Sequence, residues 1–291
     1  SADASVMINV ILRGDMGNQL FQYAVGRKLA LIHQSDLTLH TVNRHSIVDS
    51  IGSKLKHKLR LFNLKASFDH RPFLWSRLRL QRLALSPTIY QETGWGFTPE
   101  VLALPDNCYL FGYFQSEKYF KDLAPILRHE FEIDDGAFSN SAKTWQQRID
   151  DSCAVAIHVR RRDFLKSPNH HVCTVSYYKR AIEYVRERQL EARFFFFSDD
   201  LEWCQAQFAG EPFVFIQTDK NADRPLVDFW LMGRCRHHIV ANSTFSWWPA
   251  WLNSNLQKIV IAPNKWSNDL QLNRLAMRDT VPHNWVKIDV D

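Results

Sequence analysis

A chain of 291 residues, 45% of them hydrophobic, has room for two packed cores rather than one. Its 36 basic and 31 acidic residues leave a net charge of +5, too mild to mark a nucleic-acid binder but suited to a small anionic ligand. No apolar run of about 18 residues is present to cross a membrane. The five cysteines (Cys108, Cys153, Cys173, Cys204, Cys235) form no CxxC pair, which fits a reducing compartment rather than a disulfide framework.

Met7 to Leu12 reads as a short strand and Arg13-Gly-Asp-Met-Gly-Asn-Gln19 as a loop. Leu20 to His33 then has helical periodicity, and Leu37 to His40 is a second strand. This βαβ opening predicts an α/β fold. No signal peptide is expected ahead of Met7. Residues 54–82 are rich in Lys and Arg with Asp69 as the one acid, and Leu55, Leu59 and Phe62 fall at helical spacing. Two readings stay open there: a basic amphipathic helix resting on an anionic membrane, or a solvated insertion. Tyr109 to Phe114 returns to strand character, followed by a helix through Tyr119 and Phe120 and another near Thr144 to Ile149. The domain junction is expected near residue 150, giving units 7–150 and 151–291.

The second half repeats one theme. Strand 154–159 is a continuous apolar run, as expected of a strand buried on both faces of a parallel sheet. It ends in His158-Val-Arg-Arg-Arg-Asp163. Strand alternation puts His158, Arg160 and Arg162 on one face, with Arg161 and Asp163 on the other. Ligands of such sheets bind beyond the carboxyl ends of the strands, and the arginine fork fits phosphate oxygens. An anion site and a structural Arg–Asp pair are the two readings of this stretch. After a helix from Ser176 to Arg188, strand Phe194 to Phe197 ends in Ser198-Asp199-Asp200, suited to a ribose or guanine edge or to a solvated turn. A helix from Leu226 to Met232 begins beside Asp228, which reads as its cap. Strand Ile239 to Ala241 ends in Asn242-Ser-Thr-Phe-Ser246 before a Trp-rich helix starting near Trp247. Ser243, Thr244 and Ser246 either cap that helix or, with its free N–H groups, hold an anion. A last strand, Lys258 to Ala262, stops at Pro263. The adjacent pairs His170-His171 and His237-His238 point apart and suggest no metal site.

Gly17-Asn-Gln-Leu-Phe-Gln-Tyr-Ala24, Gly112-Tyr-Phe-Gln-Ser116, His158-Val-Arg-Arg-Arg-Asp-Phe164, Phe197-Ser-Asp-Asp200 and Asn242-Ser-Thr-Phe-Ser-Trp-Trp248 occur in this order. Together they resemble the bacterial α-1,2-fucosyltransferases of glycosyltransferase family 11, over nearly the whole chain. The resemblance implies a GT-B-like α/β fold, two Rossmann-like parallel-sheet domains facing a cleft, with 7–150 on the acceptor side and 151–291 binding the nucleotide sugar. It implies inverting transfer of L-fucose from GDP-β-L-fucose to the 2-hydroxyl of a terminal galactose, in surface polysaccharide or oligosaccharide synthesis. By motif match Arg160 holds the diphosphate, and Ser243, Thr244, Phe245 and Ser246 beside Asn242 complete its cradle. His158 and Asp228 face the nucleoside, Asp199 assists, and Gly17, Asn18 and Gln19 close the donor site from the first domain. Arg160, His158 and Asp163 form the catalytic set, while Asp163, Asp15 and Glu117 stand as alternatives for the general base. No metal or other cofactor is expected, and the partners are GDP-fucose and a β-galactoside-terminated glycan, with no nucleic acid. A cytoplasmic location follows, with segment 54–82 as a peripheral contact on the inner membrane face. Arg162 stands where the family has glycine, Phe164 where it has tyrosine, and Asp15 adds a carboxylate to the first loop. A transferase of another GDP-sugar and a non-catalytic glycan- or nucleotide-binding module are the alternative readings.

Overall fold

The computed structural model of the protein describes residues 7–41, 59–70, 87–134, 136, 138–210, 212–218 and 224–291. They belong to two compact units that divide after Asp134. The expected junction at 150 instead falls at the end of a helix, Asn140–Asp150, that belongs to the second unit.

The first unit is a five-stranded parallel sheet in the order β3-β2-β1-β5-β4. Its strands are β1 (Met7–Ile11), β2 (Asp36–His40), β3 (Ser67–Asp69), β4 (Thr88–Gln91) and β5 (Asn107–Phe111). Ile8, Val10, Leu37, Leu39 and Leu110 are buried in its core. Helix α1 spans Met16–His33, four residues more at its N-terminus than periodicity suggests. Asp15 is extended and the chain turns helical at once, so Gly17, Asn18 and Gln19 lie in the first helical turns and not in a loop. The short helix α2 (Ala124–Glu130) closes the unit, its buried Glu130 accepting from Tyr23 Oη at 2.6 Å and pairing with Arg27 at 2.9 Å.

The basic segment yields a correction. Where it is described, residues 59–70, it holds a single 3-10 turn, Leu59–Leu61, and then β3, which pairs with β2. Leu59 and Phe62, expected on the apolar face of a surface helix, are buried in the core of the first unit instead. The rest of 54–82, including Leu55, lies outside the described residues.

The second unit is a six-stranded parallel sheet in the order β11-β10-β9-β6-β7-β8. Its strands are β6 (Cys153–Val159), β7 (Ala192–Ser198), β8 (Phe213–Phe215), β9 (His237–Ile239), β10 (Val260–Pro263) and β11 (Val286–Ile288). Its helices are α3 (Asn140–Asp150), α4 (Val175–Arg186), α5 (Leu201–Gln207), α6 (Arg224–Arg234), α7 (Thr244–Leu252) and α8 (Leu270–Asp279). Central strands β6 and β7 are apolar through their middles (Ala154–Ile157 and Phe194–Phe197) because helices cover both faces. Val155, Ile157 and Val159 join Tyr177 and Tyr178 of α4 in one core, while His158 meets α7 on the opposite face. The chain runs from β6 outward through β7 and β8, then returns to β9 on the other flank of β6. The switch point therefore falls between β6 and β9, which is where an open α/β sheet binds its ligand.

Candidate functional site at the carboxyl edge of the second sheet

The strand ends brought together by this order are those of β6, β7 and β9. Regular strand geometry stops at Val159, so the alternation expected of the arginines does not continue past it. Arg160 turns toward Asp163 and not away from it, donating from Nε at 2.8 Å and Nη2 at 2.6 Å to the two carboxylate oxygens. The fork holds the Asp163 carboxyl below its ordinary range. Arg160 also lies 3.8 Å from Asp199 and over the ring of Phe164. Both partners of the fork are partly exposed, 26% and 55% at the side chain, so the pair contributes only about 0.2–1 kcal/mol. A phosphate in the same place would compete with that carboxylate for the same two donors.

Asp199 is tied down in the described structure. Its two oxygens accept the backbone N–H groups of Arg161 at 2.9 Å and Arg162 at 3.2 Å. It thus staples the turn after β6 to the end of β7, and the Arg162 side chain projects from the turn as an exposed residue. Asp200 caps α5 through Trp203 N and pairs with Arg161, whose guanidinium lies 3.9 Å from the centre of the Trp203 ring. Arg161 is therefore a support for the turn.

His158 is buried, and its Nδ1 shares a 2.8 Å hydrogen bond with Ser246 Oγ. Its ring tilts against Phe245 at 5.4 Å. Burial, reinforced by the charge of Arg160, pushes its pKa down to about 3, so the imidazole is neutral near pH 7. It locks the first turn of α7 onto β6 and contributes no charge there.

Helix α7 starts at Thr244, earlier than its tryptophans suggest, because the extended Ser243 caps it by accepting from Phe245 N. First-turn amides have no helical carbonyl partner, which makes this end an anion-attracting site beside Arg160. Trp247 and Trp248 anchor the helix in the core, Trp247 donating to Thr280 O at 2.7 Å. Asn242 is buried and donates to His170 O and Trp266 O, holding two loops in place behind the turn.

Asp228 lies in the second turn of α6 and does not cap it. Burial raises its pKa to about 6, against the opposing effects of Arg224 and Thr218. Thr218 Oγ1 donates to it at 3.2 Å and Arg224 lies 3.5 Å away. Arg224 also donates to Ser198 O at the end of β7, which puts a further arginine at this edge that the motifs do not indicate. The Arg224–Asp228 spacing of four residues on one helix was its sequence signal.

In the first unit, Gln19 donates to Gly14 O, and Asn18 Oδ1 accepts from Gln115 at 2.8 Å. Gln22, three residues further along the same motif, exchanges two 3.0 Å hydrogen bonds with the Arg13 backbone. Among the described residues no three His, Cys, Asp or Glu side chains gather in a metal-binding group. No described helix is long and apolar enough to cross a membrane.

Comparison with known proteins adds the following. Residues 90–289 match the model of Glycosyl transferase family 11. An Escherichia coli alpha-1,2-colitosyltransferase is 30% identical over 96% of this chain and 97% of its own length. The E. coli O-antigen biosynthesis glycosyltransferase WbnK is 27% identical over 91% of this chain and 97% of its own. A galactoside alpha-(1,2)-fucosyltransferase 1 from Saimiri sciureus is 29% identical over 82% of this chain and 63% of its own.

Proposed function

The chain belongs to glycosyl transferase family 11, and from that membership and the strand-edge site we propose that it moves L-fucose from GDP-β-L-fucose to the 2-hydroxyl of a terminal galactose. The observation that carries the reading is that three groups stand at the carboxyl ends of neighbouring strands of one sheet: Arg160 just past β6, the amino end of α7 tied to β6 through His158 and Ser246, and Arg224 bonded to the last residue of β7. In the reaction the bond between the anomeric carbon and the diphosphate oxygen breaks, and GDP leaves with the electron pair. The galactose 2-hydroxyl attacks the anomeric carbon from the opposite face, so the configuration inverts, and its proton passes to solvent water, leaving the fucosylated galactoside, GDP and a proton as products.

The chemistry asks for stabilisation of the charge that grows on the leaving diphosphate. Fixed positive charge and oriented N–H dipoles provide this without reorganising as the reaction proceeds. Arg160 takes the diphosphate by exchanging the carboxylate of Asp163 for phosphate oxygens. The first-turn amides beyond Ser243, with Thr244, Phe245 and Ser246, line the other side of the diphosphate. Asp228, close to Arg224, accepts from the N–H edge of the guanine. Neutral His158 acts through Ser246 as a positioning residue for that cradle. Names of relatives containing α-1,2 linkage and galactoside support the acceptor position, and O-antigen synthesis supports a surface polysaccharide as the destination.

Titration calorimetry with GDP, GDP-fucose, GDP-mannose and UDP tests the donor class. Binding of GDP and GDP-fucose, lost in Arg160→Ala with the fold retained, is the expected result. Equal binding of UDP, or full binding by folded Arg160→Ala, contradicts it.

A further inference from the structure

The Gly112-Tyr-Phe-Gln-Ser116 segment has no task in the donor site, yet it occupies the equivalent position of the first sheet. That sheet has its own switch point, between β1 and β5, because the chain leaves β1 toward β2 and β3 and later returns on the opposite flank. Beyond these two strand ends lie Arg13 and Gly14 on one side and Tyr113 to Gln115 on the other. We propose that this edge is a saccharide subsite, in which the Tyr113 hydroxyl and the Gln115 amide hydrogen-bond the hydroxyls of the acceptor galactoside. The proposal rests on the transferase reading and names the residues that would select its second substrate.

The turn is held in a conformation that packing alone does not require. Phe114 is fully buried at a φ of 52°, a left-handed backbone that a bulky residue adopts only under constraint. The constraint is Glu92, just past β4, whose oxygens accept Tyr113 N–H at 2.6 Å and Phe114 N–H at 3.1 Å. A Cβ on Gly112 would come within 2.5 Å of the Glu92 Cβ, so the carboxylate sits directly against the turn. On the facing loop Gly14 has a φ of 71°, and a Cβ there would fall 2.6 Å from the Asn18 amide nitrogen and 3.2 Å from the Tyr113 ring. Arg13 lies over Tyr113 at 5.3 Å, and both are half-buried.

This construction ends in one unmet demand. Gln115 donates to Asn18 Oδ1, but its own carbonyl oxygen is buried and accepts no hydrogen bond among the described residues. Such an orphaned acceptor is costly, and a turn of the Gln115 side chain that brings it to the loop surface would let an arriving hydroxyl satisfy it. The chemistry of the edge is close to neutral. Arg13 is the cation, and Glu92 is near enough to feel its charge. A phenol, paired primary amides and a compensated arginine suit the hydroxyls of a neutral sugar, in contrast to the arginines of the other sheet.

The test compares the protein with Tyr113→Phe and Gln115→Ala, using lactose as the probe in saturation-transfer NMR titrations and GDP in calorimetry. Loss of one neutral hydrogen bond is expected to weaken lactose by about two- to ten-fold in each variant. GDP affinity should stay within about two-fold, with Tm recorded alongside. Unchanged lactose affinity in both variants, or a fall in GDP affinity in its place, overturns the proposal. Should Gln115→Ala not fold, the isosteric Tyr113→Phe decides the matter by the same two readings. Failure of the donor reading shows separately, as absence of GDP binding by the unaltered protein.

Discussion

At the scale of single residues, the weight of the account falls on Arg160 and the carboxylates around it. The Asp163 fork is an exposed pair, so a ligand diphosphate displaces it at small cost. Asp163→Asn should therefore tighten GDP binding by up to about five-fold in calorimetry. Weaker binding in that variant would mean that Asp163 aims Arg160 and does not compete for it. Arg160→Ala should lower kcat by about 10²–10³ with the fold intact, as loss of a preorganised charge stabiliser does. Near-normal turnover in a folded variant would remove Arg160 from the leaving-group site. The acid behaviour has a definite sign. His158 and His238 are buried with pKa values pushed down to about 3, whereas in the unfolded chain each takes a proton near pH 6.5. Both therefore cost stability as pH falls through the window from about 6.5 toward 3. Asp228 acts oppositely, since its folded pKa of about 6 lets the native state bind a proton first. Asp228→Asn removes that opposing contribution, so its urea midpoint should fall more steeply than wild type between about pH 6 and 4. Parallel curves would contradict the burial assigned to Asp228.

Single elements explain how much of this was readable beforehand. The apolar run of β6 and the Phe run of β7 are visible in sequence because strands buried on both faces carry no polar alternation. Strands β3, β4, β8 and β11 have three or four residues each and half-exposed surfaces, so they leave no pattern to read. The amino end of α1 looks like a loop because Gly17 and Asn18 are poor helix formers, yet tertiary packing overrides that preference. Roles set by cross-strand register are not legible at all. Asp199 reaches the Arg161 and Arg162 amides only because Val159 pairs with Ser198. The cap on α7 was legible, since Ser243 precedes a strongly apolar helix. Ser243→Ala should cost about 0.5–2 kcal/mol, seen as a lower urea midpoint, and should weaken GDP binding as well. Stability loss with GDP affinity unchanged would leave that residue a cap and nothing more.

At the scale of the whole molecule, each sheet presents its own switch point with a different chemistry. The second is rich in arginine and helix N–H groups, suited to a diphosphate, while the first is close to neutral and amide-bearing. That contrast fits the proposed division between a donor-binding edge and an acceptor-binding edge. No metal is called for in this scheme, so EDTA should leave the transfer rate unchanged. Activity lost in EDTA and restored only by added metal would require a different account of the leaving group. Among relatives the sugar varies, one being named for colitose, the 3-deoxy counterpart of fucose, and a site that hydrogen-bonds the 3-hydroxyl would separate the two donors. The most direct measurement incubates the protein with GDP-fucose and lactose and reads the product linkage by NMR. The account predicts GDP release and an α-fucosyl group on O2 of galactose, both slowed by about 10²–10³ in Arg160→Ala. No transfer from GDP-fucose to any β-galactoside, or a product linked elsewhere, would contradict it.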